Sequence, residues 1–276
     1  MGQEVHTLPG GESVRGVTSL AGEVYVLRQK STRLGWKEND QIEVYDAINY
    51  HFQHRLTVPN SWELTDMTSC EHYRCVYIVD IDKCIHRLDV QALLRAATQW
   101  AVNDKPSGIS VNAAHNVLVT CRVVCKIKEF SSHGDLLCEL TLPDDVINPR
   151  HSIQTRNGEF IVCHGGRGNA VHRVCKISDD GRHIIKSHGG QRGSDIGQYN
   201  VPFHLAVDNN EFVFVSDVNN RRVTLLSPTL DYIRQDVSRD DLRWRPHSLC
   251  LDIHRRRLYV TDGEKVTRGR VVVFSV

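Results

Sequence analysis

The chain has 276 residues, 40% of them hydrophobic and 24% charged, with a formal net charge of +1. That balance suits a protein with a buried core. It excludes a whole-molecule field that would draw the chain onto nucleic acid or membrane, so any such binding has to come from a local patch. No apolar run reaches membrane-spanning length, and the opening residues MGQE carry neither a basic stretch nor an apolar segment, so no secretory signal is expected.

In chain order, one pattern returns six times at a spacing of roughly 45 residues, the period of propeller blades. The copies begin at Arg15 (RGVTSLAGEVYVL), Thr65 (TDMTSCEHYRCVYIVD), Pro106 (PSGISVNAAHNVLVT), Pro149 (PRHSIQTRNGEFIVC), Pro202 (PFHLAVDNNEFVFVSDVNNRRV) and Pro246 (PHSLCLDIHRRRLYVTD). Each reads as a short apolar strand, a polar turn and a second apolar strand, and the last four open on a proline. The runs are rich in Val, Ile, Leu and Tyr and bounded by Gly, Asn, Asp and Pro, which is a strand signature. Two further strands follow each copy; in the fifth they are residues 222–226 and 231–234. Only residues 90–102 permit a helix, and they read equally well as a wide turn plus the outer strand of the second blade. The predicted fold is therefore all-β, a six-bladed β-propeller forming one domain over residues 1–276. The sixth copy runs out after a third strand at residues 270–276. Residues 4–8 are expected to pair there as its outer strand, because an unclosed ring exposes unpaired backbone groups.

Residues 188–208, HGGQRGSDIGQYNVPFHLAVD, with their glycine-rich loop, Gly-Gln-aromatic step and proline, resemble the linker and first strand of an NHL repeat. Residues 215–223, VSDVNNRRV, are similar to that family's second-strand Asp, paired Asn and Arg. The resemblance covers nearly the whole chain, strong in copies four to six and weak in one to three. It implies a likeness to the C-terminal propeller of tripartite-motif ubiquitin ligases, which recognises RNA in some members and protein in others. The chain departs from those ligases in having no closely spaced Cys and His pairs of a RING, no B-box and no coiled coil. A distant six-bladed relative, the peptidyl-hydroxyglycine amidating lyase, holds zinc on channel histidines.

The candidate site follows from the repeat. Residues just after the opening position of each inner strand face the mouth of the channel, and loops on a rigid scaffold carry function. Arg15, Arg150, Phe203 and His247 stand one place in; His151 and His204 stand two places in. Cationic, imidazole and aromatic groups thus gather on one face and suit phosphates, bases or peptide anchors. The competing account is a rim of solvated loop residues. His151, His204 and His247 also suggest a zinc set, but neighbouring strand positions point to opposite sides, so His247 is expected to point away from the other two. No metal or other cofactor is therefore assigned.

Other motifs read as structure. His164-Gly165-Gly166-Arg167-Gly168-Asn169 fits neither phosphate-loop pattern and reads as a turn in which Arg167 adds charge. Asp80, Asp217 and Asp262, with Asn219, Asn220 and Arg221, read as turn-bonding groups. Arg255, Arg256 and Arg257 read as a solvated hairpin. No nucleophile motif is present. Nine cysteines lack zinc-site spacing, Cys121 and Cys125 being the closest pair, and are expected as thiols in a reducing cytoplasmic setting. The sequence thus predicts a monomeric, non-enzymatic platform for protein or single-stranded RNA; a metal-dependent lyase or hydrolase using the channel is the alternative.

Overall fold

The computed structural model describes residues 2–29, 40–58, 63–90, 97–166, 168, 171–264 and 268–276. They form six four-stranded antiparallel sheets. The inner strands are Ser13–Leu20, Leu64–Cys70, Pro106–Val111, Pro149–Gln154, Pro202–Val207 and Arg245–Asp252, and the next three strands of each blade follow outward. The predicted strands of the fifth blade appear as Arg222–Leu226 and Tyr232–Val237. In the second blade the outer strand is Ala97–Ala101, so that part of residues 90–102 is strand; residues 91–96 lie outside the described ones.

The ring closes as the ends of the sequence require. Strand Gln3–Gly11 lies outermost on the sixth blade, antiparallel to Arg268–Ser275, with Leu8 opposite Val271. Leu8 is fully buried. Arg28, from the first blade, bolts this seam: its guanidinium donates to the carbonyls of Pro9 (2.6 Å) and Gly269 (2.9 Å) and pairs with Glu43 (2.7 Å). A buried guanidinium is tolerated here because carbonyls and a carboxylate take up its donors.

Burial is organised between blades rather than within them. Each of six apolar clusters joins two neighbours, for instance Tyr25 and Val44 of the first blade with Met67 and Ile78 of the second. Another joins Leu8 and Val271 of the sixth to Val17 and Val26 of the first.

Cysteines take part in these clusters as small apolar groups. Burial pushes the Cys121, Cys163 and Cys175 thiols up to about 12 and Cys75 up to about 11, far from the thiolate form that reacts. Cys138 is exposed. Native alkylation at neutral pH followed by mass spectrometry is therefore expected to label Cys138 first and Cys163 and Cys175 only after denaturation. Rapid labelling of Cys163 in folded protein would contradict this packing. No helix among the described residues is long and apolar enough to cross a membrane.

Candidate functional site on the channel and its rim

All six inner strands carry a register slip at the same place: between Val14 and Gly16, Leu64 and Asp66, Pro106 and Gly108, Pro149 and His151, Pro202 and Leu205, and Pro246 and Leu249. A bulge inserts an unpaired residue and re-aims its side chain. It divides the predicted site residues into two groups. Residues one place in stay on the rim, half-buried. Residues two places in drop to the axis: His151 and His204 are 2% and 6% exposed. The expectation that all six share one face is thus corrected. His247 lines the rim cavity, whereas His151 and His204 line the axial channel.

On the rim, three of the predicted residues form a continuous strip across blades four to six. The Arg150 guanidinium lies 5.6 Å from the centre of the Phe203 ring, and Phe203 meets His247 edge-on at 5.4 Å. Arg15 belongs to the first blade and donates to Gln29 at 2.6 Å. Burial lowers the Arg15 and Arg150 guanidinium pKa values from their ordinary value; Arg122 adds to the effect on Arg150.

Beyond His247 the strip opens into a cavity of about 780 Å³ lined by Arg221, Arg222, Arg239, Arg243, Trp244 and Arg245, with Glu264 as its one carboxylate. Two of these arginines are structural. Arg221 donates to the carbonyls of Leu242, Arg243 and Trp244, and Arg222 pairs with Asp217 at 2.9 Å. Arg239, Arg243 and Arg245 are exposed, and among the described residues no carboxylate lies within ion-pair distance of them. Arg243 stacks over Trp244 at 4.9 Å. The sequence reading missed this group. Its signal was the run Arg243-Trp244-Arg245 directly before Pro246, where basic and aromatic side chains interleave.

The aspartates read as structural are so. Asp262 accepts the amides of Arg243 (2.9 Å) and Trp244 (2.7 Å) and pairs with Arg270 (2.9 Å), so it fixes the backbone of the basic loop. Asp217 does the same for the Asn200 amide in the fifth blade, and Asp80 accepts from Cys84 and contacts His86. Arg255 pairs with Asp252, and Arg256 is exposed on a turn at the opposite mouth. Of the turn after His164, residues 165, 166 and 168 are described; Arg167 is not.

At the axis the structure adds a residue that was not predicted, Asp66, two places into the second blade and 3% exposed. Its carboxylate accepts the amides of Met67 (2.9 Å) and Ile109 (3.0 Å). It faces Nε2 of His204 at 3.3 Å and Nε2 of His151 at 3.9 Å. The two imidazoles stack at 3.8 Å. Gly108 makes room for this: a Cβ there would sit 2.7 Å from the Arg150 carbonyl and 2.8 Å from the His151 ring. Burial opposes ionisation of Asp66, but His204, His151 and the Ile109 amide outweigh it and hold the carboxyl below its ordinary value. Burial and then His204 push His151 down to about 3, which leaves it a neutral base at physiological pH. A channel of about 420 Å³ reaches His151 and His204 from the mouth opposite the rim strip.

No protein-family profile matches the chain, and no curated protein matches it in sequence. Solved structures do match in shape. A hydrazine synthase of Kuenenia stuttgartiensis is similar with a TM-score of 0.64 at 13% identity, over 96% of this chain and 97% of that one. A streptogramin B lyase is similar with a TM-score of 0.64 at 12% identity, over 100% of this chain and 86% of that one. A virginiamycin B lyase from Staphylococcus aureus is similar with a TM-score of 0.61 at 12% identity, over 96% and 85%. At such identities the likeness shows the propeller fold alone.

Proposed function

We propose that this propeller is a recognition platform that binds its partner on the rim, through the strip Arg150–Phe203–His247 and the adjoining basic cavity. The observation that carries this reading is the alternation of cationic and flat aromatic side chains on one rigid face, with Arg239, Arg243 and Arg245 unpaired by any carboxylate among the described residues. Such a surface suits a single strand of RNA, whose phosphates meet arginines while its bases stack on rings. The NHL resemblance, which implies RNA in some members and protein in others, allows this partner class, and a monomeric propeller in a reducing cytoplasm is the setting that goes with it. A protein partner using the same face is the second outcome that a test has to separate.

The test is binding of single-stranded RNA by the whole chain across a salt series. Replacing Phe203 or Trp244 by Ala is expected to cost about 1–3 kcal/mol each if bases stack there. Replacing Arg150 or Arg243 by Ala is expected to flatten the salt dependence by about one phosphate contact. Arg256→Ala, at the other mouth, is expected to change neither. RNA affinity unmoved by the rim variants but lost with Arg256→Ala would overturn the assignment of the face. Salt-independent binding to a protein would replace RNA as the partner.

A further inference from the structure

We propose that Asp66, His151 and His204 form a binding site for a divalent transition metal, with zinc as its best-suited occupant, at the inner end of the axial channel. This inference does not rest on the role of the rim. Each of the three offers one ligand atom, and these atoms lie within 4.8 Å of one another. Two imidazoles and one carboxylate are a recognised zinc donor set that keeps a fourth position open. Tetrahedral zinc with its usual bond lengths separates its ligand atoms by about 3.4 Å. His204 Nε2 stands 3.3 Å from Asp66 Oδ1 and His151 Nε2 stands 3.9 Å from Asp66 Oδ2, so the rings flank different oxygens of the carboxylate and have to shift to share one ion.

Three further observations point to an ion. Asp66 is a buried carboxylate, and among the described residues neither Lys nor Arg pairs with it; its only ionic neighbours are the two imidazoles. Buried charges are ordinarily paired or bound to metal. Next, Nδ1 of His151 and Nε2 of His204 are buried without a hydrogen-bond partner. Lastly, the 420 Å³ channel gives an ion a path to the two rings.

Metal-free, the site closes on itself. His151 Nε2 faces the Ile109 carbonyl at 3.1 Å, and His204 Nδ1 receives the Leu249 amide at 3.3 Å, which leaves the His204 ring proton on Nε2. To take an ion, both rings have to turn so that a bare nitrogen faces it, while the proton of each neutral ring stays on its other nitrogen. Binding would also tie together blades two, four and five, which supply the three ligands.

The experiment titrates the full-length chain, stripped with a chelator, with Zn²⁺ and separately with Co²⁺. One equivalent of Co²⁺ is expected to bind with the visible spectrum of a four-coordinate ion, and Zn²⁺ is expected to displace it and raise Tm. Because Asp66→Asn leaves one of the two buried amides held by the carboxylate without its acceptor and is liable not to fold, the deciding variants are His151→Ala and His204→Ala, each checked by circular dichroism. Each is expected to weaken binding by more than the roughly 10–100-fold that loss of an outer partner costs. The stacked surface pair His72 and His115, with rings 4.1 Å apart, is the control. Stoichiometric binding that survives both axial variants, or that is lost in His72→Ala/His115→Ala, would overturn the site, as would no binding at all.

Discussion

Deletion of residues 1–11 is expected to lower stability by on the order of 3–5 kcal/mol, a large share of what holds any domain folded. The strand carries Leu8, fully buried between the first and sixth blades, whose burial alone accounts for about 1.5–3 kcal/mol. It also supplies the ladder to Arg268–Ser275, at about 0.5–1.5 kcal/mol for each hydrogen bond. The chain entropy regained by the freed strand offsets part of this. The deletion further removes the Pro9 carbonyl that receives Arg28, leaving a buried guanidinium short of an acceptor. The truncated protein should melt roughly 6–20 °C lower and should aggregate, because the edge of Arg268–Ser275 is then open to other chains. An unchanged melting curve would show that the seam contributes little to closure.

Asp262→Ala is the point change with the largest expected effect. The side chain is fully buried and holds two loop amides and the Arg270 guanidinium. Removing it strands a partly buried cation and two donors; breaking such a pair costs about 3–5 kcal/mol, a fall in Tm of roughly 6–20 °C. Because the same carboxylate fixes the backbone of Arg243 and Trp244, partner binding should fall as well. Asp262→Asn, which keeps an acceptor, should recover part of both losses. If Asp262→Ala melts normally, the loop is held by other means, and Arg221, which donates to three of its carbonyls, is the next group to test.

The fold was legible because its signal is periodic. Short apolar strands with polar turns recur at one spacing, and a leftover third strand at residues 270–276 called for an outer partner that residues 4–8 could supply. The site was legible only in part. Position relative to the opening proline identified Arg150, Phe203 and His247, since that proline fixes the start of the inner strand. The one-place and two-place spacing set His247 apart from His151 and His204, but it left Arg150 and Phe203 grouped with those two histidines on one face, because a bulge is a backbone event that residue types do not announce. Asp66 escaped notice because the second blade opens on Leu64 rather than on a proline, so its register had no anchor. Counting two places from Leu64, as from Pro149 and Pro202, would have found it. The Arg243-Trp244-Arg245 run was visible in the sequence, but what lifts it above a loop is Asp262, nineteen and eighteen positions away from the two amides it holds.

The placement of the core between blades has a consequence for motion. A row of six blades joined end to end has five interfaces; bent into a ring it has six. Parting any one of them leaves a chain of blades with the other five still buried. The free energy of that opening is then the cost of a single cluster plus its local hydrogen bonds, well below that of melting the whole ring. Amide hydrogen exchange should therefore show sub-global opening. The innermost ladders should exchange slowest except beside the weakest joint, and that joint is where the ring would yield first under heat or load.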